Sequence, residues 1–156
     1  TGAAFNLGVL LANRLDPPDL NEARNAWQAV INIGASNDVD AVLGWAALAL
    51  ATLDALVGDM TRAAELLDLA EQHGVQSAIA YKATLSSDPT VRAAAVQKLG
   101  ESPNDPDALN FLGIVSHRAG EPAQALQYWL RSAELGDALA PLLLYTVRNP
   151  TLPGRP

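Results

Sequence analysis

The chain has 156 residues, 49% of them hydrophobic and 17% charged, with a formal net charge of −7 and no cysteine. A disulfide framework and a thiolate site are excluded, and ten basic residues, only two of them lysines (Lys82 and Lys98), form no clustered basic face for nucleic acid or an anionic membrane surface. The longest apolar run, residues 41–53, falls short of the roughly 20 residues that a bilayer-spanning helix needs.

Alanine and leucine dominate, and strand-like alternation is scarce, so the expected fold class is all-α. The sequence begins at Thr1, already inside a helical pattern and without a basic-then-apolar leader, which reads as a fragment of a longer protein or a processed product, with a cytoplasmic location expected. A first helix, 3–13, carries Leu7, Gly8, Leu10 and Leu11. Asp16-Pro17-Pro18-Asp19 is a turn, because paired prolines cannot continue a helix. Asp19 with Glu22 then resembles a capping box and starts a helix to about residue 33, with Ala23, Trp27, Val30 and Ile31 inward and Gly34 as its stop.

The second unit opens near Asn37-Asp38, runs through Leu43, Gly44, Ala47 and Leu50, and breaks at Gly58-Asp59. Its partner helix, 61–72, turns Ala63, Leu66, Leu67 and Ala70 inward and closes at Gly74. The third unit is shorter: 76–85 carries Ile79, Ala80 and Ala83, and Asp88-Pro89 starts a helix with Val91, Ala94, Ala95 and Leu99 that stops at Gly100. Asp105-Pro106 repeats the cap-then-proline device. The fourth unit puts Leu109, Leu112, Val115 and Ser116 on one helix face and Leu126, Trp129, Leu130 and Ala133 on the next, with a turn at 119–122. A last helix, 137–148, holds Leu139, Leu142, Leu143 and Tyr145, and the Pro-rich tail 149–156 is expected to be extended or disordered.

Gly8, Gly44, Ala80 and Gly113 recur at intervals of 36, 36 and 33 residues, two helices to a period. That is the mark of an α-solenoid, in which each hairpin needs its neighbours to cover its apolar face. Leu109-x2-Leu112-Gly113 followed by Ala125-x3-Trp129 resembles the tetratricopeptide pattern, with Leu109 in place of the first aromatic and Ser116 in place of the tyrosine. Ala3-Ala4-Phe5-Asn6-Leu7-Gly8, Glu22-Ala23, Trp27 and Gly34 are similar to the Sel1-like wording of bacterial members of that superfamily. The resemblance implies a right-handed superhelix of about four hairpins (3–34, 37–74, 76–100, 106–136) plus a C-terminal helix.

Chemistry is sparse. His73 and His117 lie in different units with no partner at metal-ligand spacing, and the paired carboxylates sit at helix starts, where capping explains them. The chain is expected to be no enzyme, with no cofactor and no metal. By the resemblance, the groove lined by the first helix of each pair would bind a protein or peptide through Phe5, Val9 and Asn13, then Ala41, Trp45 and Leu48, then Asn110, Ile114, His117 and Arg118. Trp45 follows the unit's glycine, and either anchors a partner or is buried against the first or third unit. Arg118 beside Asn110 suits a partner's carboxylate, or is an ordinary solvated arginine. Trp27 and Trp129 read as core wedges. The leading expectation is a protein-interaction scaffold. The alternative is a regulatory or structural segment of a larger enzyme or signalling protein, and the uncapped first helix invites self-association.

Overall fold

The computed structural model describes residues 20–33 and 40–148, and every regular element in them is an α-helix. In chain order these are α1 (Leu20–Ile33), α2 (Asp40–Val57), α3 (Met60–Gln72), α4 (Ala78–Thr84), α5 (Pro89–Gly100), α6 (Pro106–Arg118), α7 (Pro122–Glu134) and α8 (Ala140–Arg148). The expected helix 3–13, the turn at 16–19, the stop at Gly34, the opening at Asn37-Asp38 and the tail 149–156 lie outside the described residues.

Local chemistry sets the boundaries. The Asp88 carboxylate accepts from the Thr90 amide at 2.9 Å, and the Asp105 carboxylate from the Asp107 amide at 3.1 Å, each just before a proline that opens its helix. The Asp137 carboxylate accepts from the amides of Leu139 (2.9 Å) and Ala140 (2.8 Å) just ahead of α8, and that helix begins three residues later than the apolar pattern places it. Gly58, Gly74, Gly120 and Gly136 hold positive φ at the turns between or after helices.

Each helix packs on the next in sequence, and α2 additionally meets α6, with α4 also touching α6. One continuous core results, with Trp27 and Trp129 essentially buried in it, as their spacing implies. Two close approaches rely on glycine. A Cβ at Gly44 would lie 2.7 Å from the His73 carbonyl oxygen, and one at Gly113 would lie 2.7 Å from Cδ1 and Cε2 of the Trp129 ring and closer still to its indole nitrogen.

The inward faces depart from expectation in three helices. In α4 the buried residues are Ala78, Tyr81 and Thr84, while Ile79 is 54% exposed and Ala80 only half-buried. The alignment of Ala80 with Gly44 and Gly113 therefore does not hold in space. Tyr81 takes over the core position, stacked on Phe111 with centroids 4.7 Å apart and planes 6° from parallel. In α5, Val91 and Ala94 are exposed and only Ala95 and Leu99 are buried; in α7, Leu130 is exposed and Ser132 buried.

Asp54 sits within α2, and its side chain is 3% exposed. Arg24 of α1 donates to one carboxylate oxygen at 2.6 Å and Arg62 of α3 to the other at 3.0 Å, while Arg62 also donates to Gln28 at 2.7 Å. One carboxylate thus ties three helices. Removing it leaves two guanidiniums that still reach water, so the loss is smaller than for a fully buried pair. Asp54→Ala is expected to lower stability by about 2–3 kcal/mol in urea unfolding. The coupling to Arg24→Ala in a double-mutant cycle should be positive; simple additivity would show that the pair contributes nothing.

Candidate functional site

The expected groove is largely closed. Leu48 (2% exposed), Asn110 (1%) and Ile114 (0%) are buried, correcting their assignment as exposed binding positions. Asn110 is covered where α6 meets Trp129 of α7 and the start of α8, and α2 and α6, the helices that carry the three residues, also pack on one another. Phe5, Val9 and Asn13 lie outside the described residues, as does the side chain of Ala41.

Asn110 is a structural residue. Its amide donates to Asp137 at 2.9 Å, and its backbone oxygen accepts from the Trp129 indole at 3.2 Å. That knots the start of α8 and the middle of α7 to α6. His117 is half-buried, its ring centroid 6.0 Å from that of Trp129. Asn110 and Arg118, adjacent in the sequence expectation, are separated by two turns of α6, about 12 Å.

Trp45 is different. It lies on α2, whose described side chains are mostly buried, yet it is 44% exposed. Arg118 is exposed at the far end of α6. Its guanidinium lies near Gly58, where a Cβ would be 3.4 Å from Nη1. The C-terminal ends of α2 and α6 are therefore side by side. Trp45 is 12 residues back from the end of α2, about 18 Å along the axis. The structure does not bring Trp45 and Arg118 into one contact.

It brings Arg118 to another set of residues. A cleft of about 410 Å3 opens between the α2–α3 turn, the end of α4, the start of α5 and the end of α6. Its lining includes Met60, Ser86, Ser87, Arg92, Val115 and Arg118. Arg92 donates to the Ser86 carbonyl oxygen at 2.8 Å. Among the described residues no carboxylate forms an ion pair with Arg92 or Arg118. Sequence reasoning singled out Arg118 but missed the cleft. Arg92 and the two serines carried no motif, and their convergence depends on where α4 ends.

Acidic groups gather elsewhere, where the start of α6 approaches the start of α8. Burial, then the nearby charges of Asp137 and Asp105, push the Asp107 carboxyl up to about 7. Burial also raises the Tyr81 phenol well above its ordinary value, and the charges of Asp107 and Asp105 act in the same direction, so the stacked ring stays neutral. No group of three or more acidic, histidine or cysteine side chains among the described residues is arranged to hold a metal ion, and no described helix is long and apolar enough to cross a membrane. Compared with family models, with curated proteins and with solved structures, the chain matches none.

Proposed function

We propose that the chain is a non-catalytic protein-interaction module: a superhelical array of tetratricopeptide- or Sel1-like hairpins that holds a peptide or helix against the face bearing Trp45. The reading is supported by the repeated glycine and tryptophan landmarks and by the packing of each helix on its sequence neighbour. The observation that carries it is Trp45, a large aromatic with nearly half its surface in water on a helix that otherwise faces the core. An exposed ring on a rigid, buried support is preorganised for contact, and such residues dominate binding energy at interfaces.

Trp45→Ala is expected to leave helicity unchanged by circular dichroism, because the ring contributes little to the core. It should weaken binding of the partner captured by the wild-type protein by about thirtyfold, corresponding to the ~2 kcal/mol typical of a central anchor. Site-specific photo-crosslinking from position 45 would identify that partner. Equal retention by both forms would overturn the role of Trp45 and favour a structural segment of a larger chain.

A further inference from the structure

The cleft beside Arg118 has a chemistry that the interaction reading does not use. It exists because α4 is only seven residues long, whereas α2 has 18 and α6 has 13. Where α4 stops, the chain turns through Ser86-Ser87 into α5, and the side chains of Met60, Leu85 and Val115 are left as apolar walls. Arg92 and Arg118 enter from two different helices.

The charge count there is unusual for this protein. Seventeen acidic residues outnumber ten basic ones over the chain, yet no acidic residue lines this cleft. Two guanidiniums supply two positive charges. The C-terminal ends of α4 and α6 offset them by about half a charge each at most. A surplus of about one positive charge remains, matched by a single anion. Arg92 has one arm fixed by the Ser86 carbonyl, which orients its fork. The Ser86 hydroxyl oxygen accepts from the Asp88 amide at 3.1 Å, leaving its own hydrogen to donate. The volume, about 410 Å3, lies within the range of small-molecule sites.

We infer that this cleft binds a small organic monocarboxylate, its carboxylate between Arg92 and Arg118 and its apolar body against Met60, Leu85 and Val115. A carboxylate meets a guanidinium with an opposite charge and two acceptor oxygens, whereas its neutral amide offers one acceptor oxygen and no charge. The apolar walls favour a carboxylate with a hydrocarbon body over a bare inorganic anion. The inference goes beyond the protein-interaction reading and needs neither Trp45 nor a protein partner.

The test is an amide-resolved NMR titration of the full chain at constant ionic strength with three probes: 4-methylpentanoate, its neutral amide 4-methylpentanamide, and inorganic phosphate. The expected result is saturating, millimolar binding of the carboxylate, with shifts centred on Ser86, Ser87, Arg118 and Ala119. Binding of the amide and of phosphate should be weaker by about tenfold or more. Arg118→Gln, at an exposed position, should retain the fold and lose the carboxylate response. Arg92→Gln should do the same, and Arg118→Gln carries the test if loss of the Ser86 bond disturbs the loop. Equal binding of the amide, equal binding of phosphate, an unsaturated response, or an unchanged response in folded Arg118→Gln would each overturn the inference.

Discussion

Gly113→Ala should destabilise the protein by about 2–3 kcal/mol, although alanine is the better helix former by up to about 1 kcal/mol. The sign is decided by Trp129. A Cβ at position 113 would come within 2.7 Å of its ring, and the indole also donates to the Asn110 backbone. A fully buried ring has nowhere to go without opening a void and breaking that bond. Thermal unfolding should show a drop of roughly 10 °C, at about 4 °C per kcal/mol for a chain of this size. The same change at Gly100, where a Cβ meets nothing within 4 Å, should be neutral or slightly stabilising. Combining Gly113→Ala with Trp129→Leu should cost no more than Trp129→Leu alone, since the clash is gone. Strict additivity of the two changes would show that the indole is not what excludes a side chain at 113.

Asp107→Asn should act in the opposite direction, and only where pH allows. The Asp107 carboxyl titrates near 7 in the folded chain against an ordinary value of 3.8. Below pH 4 both folded and unfolded chains hold the proton, and the group contributes nothing to pH dependence. Between about 4 and 7 the unfolded chain releases it and the folded chain does not, so stability falls as pH rises. Above 7 the full penalty is present. Three pH units correspond to at most about 4 kcal/mol. Urea unfolding of wild type and Asp107→Asn should therefore agree near pH 4 and diverge to a constant gap by pH 8, the asparagine form being more stable. Parallel curves, or a less stable asparagine form at pH 8, would mean that the helix terminus outweighs burial and the neighbouring aspartates.

The features legible in the sequence are those that short-range chemistry fixes. Asp88-Pro89 and Asp105-Pro106 start helices because a carboxylate and a proline at those positions suit a helix start whatever surrounds them. Trp27 and Trp129 are buried because their apolar stripe allows no other orientation. The groove was not legible in the same way. Leu48, Asn110 and Ile114 are covered by packing between separate helices, Asn110 by the Trp129 indole and Asp137, 19 and 27 positions away. Tyr81 enters the core in place of Ile79 because Phe111 offers it a stacking partner, a contact across 30 positions. The ion pairs of Asp54 carried no sequence signal, because Arg24 and Arg62, which neutralise it inside α2, come from two other helices. The cleft depended on the point at which α4 stops, and no motif in the sequence marks that point.

The contact between α2 and α6 has a consequence for how the structure comes apart. In a strictly nearest-neighbour array, melting one hairpin severs the stack, because every link runs through the next unit. Here α2 reaches α6 directly, past the hairpin formed by α4 and α5. That hairpin is a side loop on a closed circuit rather than a link in a chain. It can open while the halves on either side stay joined, at the cost of unstacking Tyr81 from Phe111. Its opening would also take the α4 and α5 walls away from the cleft, so occupancy of the cleft and closure of the hairpin favour one another.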